Sequence, residues 1–166
     1  EQYLREAQKA GCVPIARISE TYPAVLHRRW GADAPGCLWA KGDLSLLSKP
    51  AVALVGSRQL REENLRFAQE VGAQAARQGF VLISGNAVGA DRAAQESCLH
   101  SGGQVISVVA DDLRDHKEQE NVLYLSEDSF DTPFSSQRAL SRNRVIHGLG
   151  IVTLVAQSGL NGGTWD

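Results

Sequence analysis

The stretch AVALVGSRQLREENLRFAQEVGAQAARQGFVLIS, residues 51–84, narrows the fold more than any other part of the chain. An unbroken apolar run ends at Gly56, and such a run without alternation belongs to a strand covered on both faces. Leu65, Ala68, Val71 and Ala75 then recur at helical spacing, and Gly79 ends that helix. A second apolar run, FVLIS at 80–84, follows at once. Strand, helix and strand of these lengths make a parallel pair joined by a right-handed crossover.

The pattern continues along the chain. NAVGADRAAQESCLHSGG (86–103) reads as a loop and an alanine-rich helix stopped by Gly102 and Gly103, and QVISVVA (104–110) as a third strand. NVLYLS (121–126) is a short fourth strand. SSQRALSRNRVIHGLG (135–150) is a helix starting near Ser135 or Ser136, and IVTLVAQ (151–157) is another buried strand. The fold class expected is therefore α/β, a Rossmann-like open parallel sheet with helices on both faces. Residues 1–50 are expected as a short irregular N-terminal lead-in packed on the core, apart from a helix over 1–10 ended by Gly11; residues 51–166 are the Rossmann-like domain. The chain contains no methionine, which leads us to expect an excised fragment whose Rossmann-like domain is incomplete at the C-terminus.

In open α/β sheets ligands bind outside the carboxyl ends of the strands, so the loops leaving those ends should line one crevice. Gly56-Ser57-Arg58 and the loop opened by Ser84-Gly85 have the small residues that let backbone N–H groups approach a phosphate, with a helix N-terminus behind. Arg58 adds a planar, permanently charged fork. Gly162, Gly163 and Thr164 could form a second phosphate turn. Each feature has a plainer reading: Gly56 as a turn residue, Arg58 paired with Glu62, Ser84-Gly85 as a strand exit, Asp91 as a helix N-terminal acid, and His147 as a packing residue.

Charge is informative through its distribution. The net charge is −2, which excludes a histone-like positive coat. Residues 111–120, DDLRDHKEQE, hold five acids and read as a solvated loop, with a divalent cation as the less favoured alternative. Residues 132–165 contain no acid but carry Arg138, Arg142, Arg144 and His147. Arg142, Asn143 and Arg144 thus read either as a solvated helix face or, with no acid nearby, as an anion-binding cluster. There is no P-loop lysine, metal-ligand spacing or nucleophile with base and acid partners, so binding without catalysis, metal or cofactor is expected. Cys12, Cys37 and Cys98 are an odd count and suit a reduced, cytoplasmic protein. No apolar run approaches the roughly 20 residues of a membrane span.

In order, LWAKGDL, VALVGSR, SGNAVGADRAAQ, GGQVISVVA and SRNRVIHGLG resemble the Rossmann-like domain of the DNA-processing protein A family (DprA, also called Smf), from about Tyr22 onward. The resemblance implies a cytoplasmic bacterial protein that binds single-stranded DNA in DNA uptake and recombination, loads the RecA recombinase and forms homodimers, without enzyme activity. Carried onto this chain, it implies DNA contacts from Gly56, Ser57, Arg58, Ser84, Gly85, Arg142, Asn143 and Arg144. Two departures stand out. Val88 occupies a position often basic in the family, and the acidic run replaces a tyrosine-proline loop. The ending NGGTWD is closer to the glycine-rich turn of nucleoside-phosphate hydrolases, so a nucleotide sensor or hydrolase using the same crevice is the alternative.

Overall fold

The computed structural model describes residues 1–159 and 164. Seven strands form one mixed sheet among the described residues, flanked by five helices. In chain order these are α1 (Gln2–Lys9), β1 (Val13–Ala16), α2 (Ala24–Trp30), β2 (Cys37–Gly42), β3 (Ala51–Val55), α3 (Glu62–Arg77), β4 (Val81–Ser84), α4 (Ala90–His100), β5 (Val105–Val108), β6 (Val122–Ser126), α5 (Ser136–Leu149) and β7 (Thr153–Val155). The sheet order is β1-β2-β6-β5-β4-β3-β7. Strands β7, β3, β4, β5 and β6 are parallel, whereas β2 pairs antiparallel with both β6 and β1.

Burial on both faces explains the unbroken apolar runs. Every residue of β4 and β5 is buried. On one face, Ala53, Val55, Ile83, Ile106 and Leu125 pack with Leu26 of α2 and Val145, Ile146 and Leu149 of α5. On the other, Leu54, Leu82 and Val105 pack with Ala68, Val71 and Ala75 of α3 and Ala90, Ala94 and Cys98 of α4. Small residues at the α3–α4 contact let the two helix backbones approach closely. Helix α1 ends at Gly11, φ +75°, and covers a third cluster containing Cys12, Trp39, Leu113 and Phe130.

Residues 1–50 depart from the irregular lead-in expected. Residues 13–42 contribute two strands to the sheet itself, with Trp39 opposite Ser126 and Ala40 opposite Leu125. Only Ile15 of β1 is buried, and Pro14 sits in this edge strand, where its missing N–H costs little. The α5 start agrees with the sequence: the Ser135 hydroxyl accepts from the Arg138 N–H at 3.0 Å. At the other end of α5, Arg29 donates to the carbonyls of His147, at 2.8 Å, and Gly150, at 2.5 Å, a cation on a helix C-terminus. No helix among the described residues is long and apolar enough to cross a membrane.

Candidate nucleic-acid interface

The connections from β3 through β6 step across the sheet in one direction, and the chain then returns through α5 to put β7 on the far side of β3. The strand order therefore reverses between β3 and β7, and a crevice opens at the carboxyl ends of strands beside such a point. Here the space is about 490 Å³, lined by Ser57, Arg58, Asp91, Ser136, Arg142 and Asn143 among others. A second hollow of about 210 Å³ shares Arg58, Ala87 and Arg142 with it and adds Arg92 and Asp111.

Three loops build the rim, and they are locked to one another. A Cβ on Gly56 would stand 2.5 Å from the Ala90 Cβ, so this glycine admits the start of α4 to the end of β3. Gly89, at φ +97°, lies under the first loop: a Cβ there would be 2.5 Å from the Ser57 carbonyl oxygen and 2.6 Å from that of Arg58. The Ala90 N–H donates to the Ser57 carbonyl at 3.2 Å, and the Ser57 N–H to the Gln157 carbonyl at 2.9 Å. Gln157, just after β7, also ties the first loop to the start of α3. Its Oε1 accepts from the Arg61 N–H at 3.1 Å and from Asn64 Nδ2 at 2.8 Å.

Arg58 is exposed at the mouth and forms no ion pair with the described residues. Glu62, the partner considered for it, pairs with Arg66 at 2.6 Å. Arg142 lies below, 7% exposed, with Nη1 donating to the Gly85 carbonyl at 2.6 Å and the Val108 carbonyl at 2.8 Å. Two strand ends therefore hold its guanidinium in place. Burial lowers its pKa, and Asp91 works in the opposite sense. Asp91, in the first turn of α4, is 5% exposed and its Oδ2 accepts from the Ala87 N–H at 3.3 Å. Burial raises its pKa, against the pull of Arg142 and of that N–H.

The sequence candidates divide. Gly56, Ser57, Arg58, Arg142, Asn143 and Thr164 line the crevice. Gly162 and Gly163 lie outside the described residues. Ser84 is corrected: it is fully buried, pairs in register with Ser107, and donates its hydroxyl to the Leu54 carbonyl at 2.7 Å. Gly85 is buried beneath Arg142, where a Cβ would stand 2.7 Å from Cζ, and it lines only the smaller hollow. Arg144 is corrected too. Two positions along a helix turn about 200°, so Arg144 leaves α5 nearly opposite Arg142. It donates to the Asp33 carbonyl at 3.2 Å and meets Glu127 at 3.4 Å, beside Trp30.

Nor is the arginine cluster without acids. Glu127 and Asp128 reach it from the loop after β6, and Arg138 binds Asp128 at 2.7 Å, the Thr132 carbonyl at 2.6 Å and the Ser126 hydroxyl at 3.0 Å. The acidic run is partly internally paired, Asp112 with Arg114 and Asp111 with His116, each at 2.6 Å. His147 bears out its packing role, half-buried with Nδ1 3.0 Å from the Thr153 hydroxyl. Asp91 and Gln157 are the rim residues whose part in the site sequence reading missed. The signal for Asp91 was its place as the one acid within SGNAVGADRAAQ; Gln157 showed only as a polar residue closing a buried strand.

Comparison with known proteins gives the family and supports the fold. The sequence model of the family described as DNA recombination-mediator protein A matches residues 14–166. The DNA processing protein DprA of Bacillus subtilis is 30% identical over 162 residues, covering 90% of this chain and 53% of that protein. The structure of DNA processing protein A from Streptococcus pneumoniae superposes with a TM-score of 0.83 at 28% identity, over 96% of this chain and 59% of that one. That of Helicobacter pylori, described for its unique single-stranded DNA binding mode, gives 0.76 at 26% identity, over 92% of this chain and 72% of that one. The chain spans about half the length of the curated relatives it matches first.

Proposed function

The chain belongs to the DNA recombination-mediator protein A family, and from that premise we propose that it binds single-stranded DNA along the rim at the carboxyl ends of β3, β4, β5 and β7, without chemistry of its own. One observation carries the reading: an exposed arginine without an ionic partner among the described residues, Arg58, and an immobilised one, Arg142, line the same crevice at the point where strand order reverses. Arg92, also lining the smaller hollow, extends the positive track past α4. A strand of linked phosphates can follow such a track by backbone contacts that are indifferent to sequence. The described lining of both hollows offers no histidine or cysteine, which supports binding over catalysis. The reading extends to the cellular role: the protein works in the cytoplasm as a homodimer and hands its strand to the RecA recombinase during DNA uptake.

The test is fluorescence anisotropy with a labelled oligonucleotide across a range of salt concentrations. Affinity should fall linearly on a log–log plot, by about 0.7 for each phosphate neutralised on a single strand. Replacing Arg58 with Ala should weaken binding to all sequences alike and reduce that slope by about 0.7. A variant that binds like the parent at every salt concentration removes Arg58 from the interface.

A further inference from the structure

A groove of about 740 Å³, larger than the crevice, lies at the other end of the parallel strands. Its walls are α2, the short 3-10 helix over Leu44–Ser48 and the turn from α5 into β7. Pro50 leads into β3 and Ile151 precedes β7, so the five residues of β3, about 16 Å of strand, separate the groove from the crevice. The floor is aliphatic: Val25, Leu44, Leu47 and Leu149, with Ile151 at the edge, 61% exposed. Val152, next to it, is 49% exposed. Adjacent apolar side chains left open to water on a rimmed concave surface mark a place where another molecule sits. The walls are fixed in advance. Arg29 ties α2 to the end of α5, and the Tyr22 hydroxyl donates to the Pro35 carbonyl at 2.7 Å.

Charge says what kind of molecule. Three cations stand on the rim, Arg28, Arg29 and Lys49, against one acid, Glu20. None of the three is neutralised by a carboxylate among the described residues. Arg29 is held by carbonyl oxygens, Lys49 donates to Gln104 Oε1 at 2.8 Å, and Arg28 is exposed with no ion pair. Asp43, within Coulombic reach of Lys49, is turned to the Ser45 hydroxyl at 2.6 Å and N–H at 3.0 Å. We propose that this groove docks a short acidic segment of a partner protein, its carboxylates meeting the rim and one or two apolar side chains anchoring on the floor. A nucleic-acid strand fits less well: Tyr22, the one aromatic residue of the lining, is 6% exposed and offers no face on which a base could stack. Since the groove and the crevice occupy opposite ends of the strands, a peptide here and a DNA strand there do not compete. The inference stands apart from the single-strand reading and gives the domain a second, separate face.

The experiment selects short random peptides, displayed on phage, against the immobilised protein. Enriched sequences are then synthesised, labelled and titrated by anisotropy with the parent, Arg28→Glu and Ile151→Asp. Both positions are exposed, and thermal melts establish that the variants are folded. Enriched peptides should carry an excess of Asp and Glu around an apolar residue, and should lose affinity about tenfold in each variant. Oligonucleotide affinity, measured on the same samples, should not change. Enrichment without an acidic excess, peptides that bind both variants like the parent, or no enrichment at all overturns the inference. If Arg28→Glu weakens oligonucleotide binding, the groove belongs to a nucleic-acid surface and the inference falls. If sedimentation shows self-association that Ile151→Asp abolishes, the occupant is a second copy and it falls likewise. None of these results touches the crevice, whose reading is decided by Arg58→Ala.

Discussion

Replacing Gly89 with Ala puts the docking of the rim loops to a quantitative test. This glycine has φ +97° and ψ −126°, a conformation open to glycine and strained for any side chain, at a cost of about 1–3 kcal/mol. The added methyl would also sit 2.5 and 2.6 Å from the carbonyl oxygens of Ser57 and Arg58. Backbone oxygens cannot swing aside as a flexible side chain does, so the first loop must lift, adding about 1–3 kcal/mol of overpacking. With partial relaxation the total should be about 2–4 kcal/mol, which in a domain of this size lowers Tm by roughly 4–16 °C. Gly79→Ala is the control. A methyl at Gly79, which has φ +75°, would meet nothing within 4 Å, so this position carries the left-handed penalty alone, about 1–2 kcal/mol. Calorimetric melts of the two variants isolate the close approach. Displacement of Ser57 and Arg58 should also weaken oligonucleotide binding in Gly89→Ala and leave it unchanged in Gly79→Ala. Equal melting points and equal affinities for the two variants would refute the claim that the loops hold each other in place.

Other expectations concern the supports of the site and the thiols. Arg138→Ala removes a buried guanidinium that ties Asp128, Thr132, Pro133 and Ser126 together, and should cost about 2–3 kcal/mol, read from the urea midpoint at unchanged m-value. Burial lowers the pKa of His147 below its ordinary 6.5. The unfolded chain then takes up that proton first, so stability present above pH 6.5 is lost as the pH falls toward the depressed value. Denaturation at pH 7 and pH 5 should show a smaller acid loss in His147→Gln than in the parent. Cys98 is fully buried and its pKa is pushed up to about 11, so it should resist a thiol reagent in the native protein, while all three cysteines react after denaturation.

The sequence made most of the parallel part of the sheet legible because β3 to β6 are largely covered on two faces and leave unbroken apolar runs. β7, read as buried too, is not: Thr153 and Leu154 are half-buried and Val155 is exposed. β1 and β2 left no such trace. β1 buries a single side chain and contains a proline, and β2 is an antiparallel strand with Lys41 among its buried residues. The first loop of the site was readable, since a short glycine turn after a strand end needs little tertiary context. Arg142-Asn143-Arg144 was misread because adjacency along the chain was taken for adjacency in space, where a helix sends alternate residues to opposite sides. Its acids were invisible for a related reason: Glu127 and Asp128 lie upstream of the acid-free stretch and fold back onto α5. Ser84 looked like a loop residue at the end of FVLIS but remains within the sheet ladder, opposite Ser107.

The grip of the Gly85 and Val108 carbonyls on Arg142 bears on how tightly a ligand can be held. An arginine free in solvent surrenders several rotatable bonds when it closes on an anion, and affinity is eroded accordingly. Here that freedom was given up when β4, β5 and α5 came together. An incoming group therefore meets a cation already stationary, and the entropy that would oppose capture has been charged to folding instead.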